Sequence, residues 1–218
     1  ITEERRAELE ALPGASSWHV DRWIAHRQAF ENDEVVILNK SAFDDLHDTE
    51  PLLLDIETDL QQDRIWLVGT YSYQNDAYRQ FFEPDDESAL LQELSEYLDD
   101  HGSEPIIYYG GNYFDEQCLS RRFDEHGITE GLDHLERAHD LGITAQQELF
   151  GPFNRHKLDV VASALGFEYQ DPTVDGFVVG SKYTRYLLDG EEPDWDRLKQ
   201  YNNDDVTALR TIVDHIRS

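Results

Sequence analysis

The chain has 218 residues, 47 of them acidic and 18 basic, for a formal net charge of −29. That length can bury one sizeable core, and no apolar stretch approaches the roughly 20 residues of a membrane span. The charge argues against the basic face by which nucleic-acid binders usually advertise themselves, and a lone Cys118 excludes an internal disulfide and fits a reducing cytoplasm.

In chain order, residues 2–12 and 17–30 read as helices, with Trp18, Trp23, Ile24 and Phe30 available for packing, followed by the apolar run Val35-Val36-Ile37-Leu38. Residues 1–50 thus form a mainly helical N-terminal extension with no recognisable chemistry. Ile1 to Glu10 is charged and lacks the apolar core and cleavage site of a signal peptide. Beginning at Ile1 with no Met, the chain reads as trimmed or as part of a longer protein.

Pro51 opens the main domain, 51–218. Strands are expected over 52–57, 65–73 and 78–82, with Gln74-Asn75-Asp76 as a hairpin turn. A helix then starts at the acidic caps Asp85-Asp86-Glu87, carries the stripe Leu90, Leu91, Leu94, Tyr97 and Leu98, and ends at His101-Gly102. Pro105 to Tyr109 is a short strand broken by Gly110-Gly111, and a helix follows from about Tyr113 to His126, stopped by Gly127. A weak strand near 138–141 precedes three more helices, at about 157–165, 175–188 and 195–216. Strands in meander followed by strand-helix alternation predict an α/β fold, a mixed sheet flanked by helices.

Three acidic motifs stand out: Asp55-Ile56-Glu57, Asn112-Tyr113-Phe114-Asp115, and Tyr201-Asn202-Asn203-Asp204-Asp205. Asp-x-Glu occurs four times in this acidic chain, but only Asp55/Glu57 follows an apolar run, Leu52-Leu53-Leu54. Two apart at the end of a buried strand, these acids point the same way and repel each other unless a cation sits between them. Of the 11 tyrosines only Tyr201 has an Asp four residues on, a spacing that puts Tyr201 and Asp205 on one helical face. Asp204 lies off that face. Asp115 falls in the first turn of its helix, where a capping role competes with a functional one. Hard oxygen ligands gathered from distant segments suit two divalent cations at a phosphodiester-cleaving site.

Taken together, the chain from Pro51 to Ile216 resembles the ribonuclease-H-like DEDD (DnaQ-like) exonucleases, and specifically their tyrosine-bearing (DEDDy) branch. The segments YYGGNYFDEQCL, HKLDVVASALGF and KQYNNDDVTAL look like exonuclease domains found alone or beside helicases in bacteria and archaea. A histidine-bearing relative would carry His at position 200, which is Gln here. The departure is Gly110-Gly111 where a single Gly before Asn112 is expected. The resemblance implies a five-stranded mixed sheet and 3′-5′ hydrolysis of DNA or RNA with two Mg²⁺ or Mn²⁺ ions. It implies Asp55 bridging both ions, Glu57 and Asp205 completing the site that activates water, Asp115 holding the second ion partly through water, and Tyr201 orienting the water. It also implies a single-stranded 3′ end as substrate, DNA repair as the setting, and a helicase or repair protein as partner.

Weaker expectations attach to Thr58 and Asn112, beside the motif acids, as contacts to the terminal nucleotide, and to Lys157 in the Arg155-His156-Lys157 cluster as a phosphate contact. Tyr113 and Phe114 are positioned to stack bases, with Phe114 expected in the core. The nine histidines form no zinc-type arrangement. The acidity itself, spread along the chain with only Lys40, Lys157, Lys182 and Lys199 as lysines, resembles proteins of salt-loving archaea. At molar salt the Debye length falls to about 3 Å, so an acidic surface repels DNA only near contact. Two rival functions remain: an endonuclease on the same fold, and a non-catalytic binding module whose N-terminal helices dock a helicase.

Overall fold

The computed structural model describes residues 2–218. Two helices, α1 (Glu3–Glu10) and α2 (Ser17–Asn32), lead to a two-residue strand β1 (Val36–Ile37), a 3-10 turn (Lys40–Phe43) and a short α3 (Asp44–His47). The extension is tied to the rest by β1, which pairs antiparallel with β7 (Leu149–Phe150), and by Phe43 and Leu46, buried in the main core. No helix among the described residues is long and apolar enough to cross a membrane.

The central sheet is five-stranded and mixed, as expected. It contains β2 (Leu52–Thr58), β3 (Ile65–Ser72), β4 (Ala77–Phe82), β5 (Ile106–Tyr108) and β6 (Ala138–Asp140), in the spatial order β4-β3-β2-β5-β6. Strands β2, β3 and β4 form the antiparallel meander, while β5 and β6 run parallel to β2. Between them lie α4 (Glu87–Asp100), capped by Asp86, then α5 (Phe114–His126) and α6 (Thr129–Leu135). After β6 come α7 (Leu141–Glu148), α8 (Leu158–Ala164), α9 (Gly176–Asp189) and α10 (Trp195–Arg217).

The period of two in β2 decides where the acids go. Leu52, Leu54 and Ile56 enter the core formed with α4, α5 and α6, whereas Leu53 packs on the opposite face against α8 and α10. Asp55 and Glu57 continue the Leu53 row, so both face the α10 side. Helix α10 meets them with a buried stripe, Leu198, Asn202, Asp205, Val206 and Leu209, at the three- and four-residue spacing of one helical face.

The expected elements outside 128–156 appear with ends shifted by a residue or two. Within that stretch the expectation of one weak strand was incomplete: α6, α7 and β7 also form there. Helix α7 begins at the residue after β6 and is capped by Asp140, whose side chain accepts from Gly142 N at 2.9 Å. A strand that turns directly into a helix leaves no polar spacer to mark the boundary.

Candidate active site

Asp55, Glu57 and Asp205 come together. One ligand oxygen from each lies within 4.8 Å of the others, although the strand and α10 are about 150 residues apart in sequence. Their meeting depends on Gly69, the partner of Asp55 on β3. A Cβ there would lie 2.2 Å from Asn202 Oδ1 and 2.9 Å from Val206 Cγ2, so only a bare backbone lets α10 approach this closely. The approach is used at once: Asn202 Nδ2 donates to Asp55 Oδ2 at 2.8 Å, and Asn202 Oδ1 is held by Gln80 Nε2 at 3.0 Å.

Asp115 lines the same cleft from the first turn of α5 but stands outside the tight cluster of three. The loop that delivers it is organised by Asp140, buried at the end of β6, which accepts from Gly110 N, Gly111 N and Tyr113 N at 3.1, 2.8 and 2.8 Å. Both glycines have a reason. A Cβ on Gly110 would sit 3.1 Å from Asp115 Oδ2, and Gly111 has φ +74°. The doubled glycine that departs from the expected motif therefore makes room for the acid and turns the chain.

Tyr201 lines the cleft beside Asp205, and a second phenol is also there: Tyr169 OH donates to Asp205 Oδ1 at 2.8 Å. Asp204 is occupied elsewhere, accepting from Gln170 N and Gln200 Nε2 at 2.8 and 2.9 Å. Thr58 and Asn112 line the cleft, the Thr58 hydroxyl donating to Asp59 O and Asn112 Oδ1 accepting from Phe114 N. Lys157 is exposed and borders a groove that shares Asp55, Tyr201 and Asp205 with the cleft. Phe114 packs against the core formed with α4 and α5, as expected, but is only half-buried and also lines the cleft. Tyr113, with φ 60°, is exposed.

The electrostatics of the cluster are unfavourable as it stands. Burial, with repulsion from Asp205, Glu57 and Asp115, raises Asp55 well above the ordinary carboxylate range. Glu57 is raised well above it by burial and by Asp205 and Asp115. Burial pushes Asp115 to about 7, and Asp205 to about 7 against the opposing Tyr169 and Tyr201 hydroxyls. Glu57 Oε1 is buried with no hydrogen-bond partner in the protein. A buried, unpartnered carboxylate oxygen beside two other acids, in an all-oxygen donor set, fits a hard divalent ion.

Sequence reasoning did not assign roles to Asn202, Asp140 or Tyr169. Asn202 had a signal, since it lies three residues before Asp205 on the same helical face. Asp140 and Tyr169 had none, because their partners are distant in sequence.

A family model of the RNase H superfamily matches residues 52–217, and the chain belongs to that superfamily. Among solved structures it is similar to the family B DNA polymerase from the hyperthermophilic archaeon Pyrobaculum calidifontis, at 18% identity with a TM-score of 0.60. The likeness covers 77% of this chain but 24% of the polymerase, and at that identity it concerns the fold alone. No curated protein matches the chain.

Proposed function

We propose that this chain is a metal-dependent 3′-5′ exonuclease of the tyrosine-bearing DEDD branch, with 51–218 as its catalytic domain and 1–50 as an extension. The observation that carries the reading is the cluster of half-buried Asp55 with buried Glu57 and Asp205, one ligand oxygen of each lying within 4.8 Å of the others, with Asp115 lining the same cleft. Asp55 would hold both cations, Glu57 and Asp205 would complete one site, and Asp115 would hold the second cation partly through water. Mg²⁺ or Mn²⁺ bound there supplies the charge that makes water nucleophilic near neutral pH and offsets charge on the leaving 3′ oxygen.

The protein's own groups do the rest. Burial and the charge of Asp205 raise the Tyr201 phenol far above its usual value, so it stays protonated and serves to orient the attacking water. Asn202 and Tyr169 fix the carboxylates of Asp55 and Asp205 by donating to them. Thr58 and Asn112 border the cleft where the terminal nucleotide would lie, and exposed Lys157 would meet a phosphate. With a net charge of −29, substrate approach is expected to need high salt.

The test uses 5′-labelled single-stranded DNA and RNA in molar KCl with Mg²⁺ or Mn²⁺. A ladder shortening from the 3′ end is expected. A single internal cut would replace the exonuclease with an endonuclease, and no cleavage with either metal would overturn the reading.

A further inference from the structure

Beside the acidic cleft lies a groove with no acid in its lining. In a chain where 47 of 218 residues are Asp or Glu, it is bordered by Tyr109, Gly110, Gln146 and the run 154–158, which brings Arg155 and Lys157 to one rim. The proposed reaction uses only Lys157 of this rim.

Both cations are free to meet a ligand. Arg155 and Lys157 are exposed and pair with no carboxylate among the described residues, whereas His156 between them holds the loop in place. Its Nε2 donates to the backbone carbonyl of Leu149 at 2.8 Å, and its ring stands 5.3 Å from that of buried Phe153, edge to face. The basic loop is thereby anchored to β7. Across the groove, Gln146 Nε2 donates to Gly111 O at 3.4 Å, which braces the other wall against the glycine loop that delivers Asp115.

The groove reaches the carboxylates by two routes. It shares Tyr109 and Gly110 with the acidic cleft, and Tyr109, Lys157 and Leu158 with the second groove, which contains Asp55, Tyr201 and Asp205. Arg155 borders neither of those two, so it lies beyond Lys157 on the way out from the carboxylates.

Charge decides what fits there. Cleavage at a 3′ end releases a nucleotide whose only phosphate is the one held at the cations, while the strand left behind carries a phosphate on every residue. The cleft walls add Asp59 to the four motif acids and repel that strand, whereas the acid-free groove does not.

We propose that this groove receives the strand on the 5′ side of the scissile bond, and that Arg155 binds a phosphate there, farther in along the strand than the one Lys157 meets. The inference rests on the exonuclease reading and extends it to substrate length. A planar guanidinium without a carboxylate partner suits two oxygens of one phosphate.

The probes are the dinucleotide TpT, whose only phosphodiester is the scissile one, and an oligothymidylate octamer. KM and kcat are measured for the unsubstituted chain, Arg155→Ala and Arg155→Lys, with circular dichroism as a check on the fold. Arg155→Ala is expected to raise the KM of the octamer by about tenfold with little change in kcat and a much smaller rise for TpT, and Arg155→Lys to recover part of the loss. Octamer binding is also followed across a KCl series in the Asp205→Asn protein. There Arg155→Ala should make the slope of log affinity against log salt shallower by about 0.7, the share of one phosphate contact on a single strand.

An octamer KM and salt slope unchanged by Arg155→Ala overturn the assignment even where the ladder from the 3′ end is intact. Equal rises in KM for both probes also overturn it, because Arg155 would then act at the scissile phosphate or through the fold. If the unsubstituted chain cleaves neither probe, the exonuclease reading fails and this inference with it.

Discussion

The side-chain amide of Asn202 donates to Asp55 Oδ2 at 2.8 Å, joining the N-terminal half of α10 to the middle of β2 across 147 residues of sequence. This bond fixes one oxygen of the acid that would bridge two cations, and Gln80 in turn fixes Asn202. Asn202→Ala is therefore expected to weaken metal affinity and activity by about 10- to 100-fold, alongside a stability loss of about 1–3 kcal/mol from unpairing a fully buried amide. Metal titrations of cleavage, read beside thermal unfolding, check this. Wild-type metal dependence in the variant would show that Asp55 needs no such support.

Gly69 is predicted to be intolerant. The Cβ of Gly69→Ala would overlap Asn202 Oδ1 at 2.2 Å and crowd Val206, and both neighbours belong to the buried stripe of α10. The cost is about 1–3 kcal/mol. In a domain of this size that lowers the melting temperature by roughly 2–12 °C. Activity should fall as well, because α10 carries Asp205 and Tyr201 with it.

The fold was legible where one signal dominated. Leu52-Leu53-Leu54 announces a strand buried on both faces, and Tyr201 and Asp205 announce a helical face; both expectations match the structure. The 128–156 stretch was not legible, since β6 passes straight into α7 with no turn residues between them. In the site, Asp140 was unreadable for a related reason: the three amides it gathers from the Gly110–Tyr113 loop lie 27 to 30 positions earlier, a relation only the tertiary fold creates. Tyr169 sits between helices in a segment with no periodic pattern, so nothing in its neighbourhood marks it as a partner of Asp205.

The two phenols at Asp205 should separate by function. Tyr169 donates to Asp205 Oδ1, so Tyr169→Phe is expected to weaken metal binding. Tyr201→Phe is expected to lower kcat by about 10- to 100-fold with metal affinity retained, because in the proposed mechanism its phenol would orient water. Measuring kcat across a metal titration for both variants distinguishes them. Identical behaviour would argue that the phenols share one role.

Stability should depend on pH and metal in opposite senses. Asp115 and Asp205, raised to about 7 by burial, hold protons in the folded chain that the unfolded chain has lost above about pH 4. The folded state thus binds more protons in this window, and the metal-free protein loses stability as pH rises through it. A divalent cation replaces those protons, so its stabilising effect should grow with pH. Melting temperatures from about pH 5 to 8, with chelator or with Mn²⁺, are expected to diverge. A melting temperature that rises with pH in chelator would contradict the raised, buried carboxyls of the cluster.

The central claim is that Asp205 belongs to a cation-binding catalytic cluster and its neighbour Asp204 does not. Asp204 accepts from Gln170 and Gln200, whereas Asp205 faces Asp55 and Glu57. The decisive measurement is metal-dependent cleavage of a 5′-labelled single strand by Asp205→Asn and Asp204→Asn, each confirmed folded by circular dichroism. The account predicts that Asp205→Asn abolishes cleavage while Asp204→Asn retains most of it. Near-normal cleavage by Asp205→Asn would contradict it.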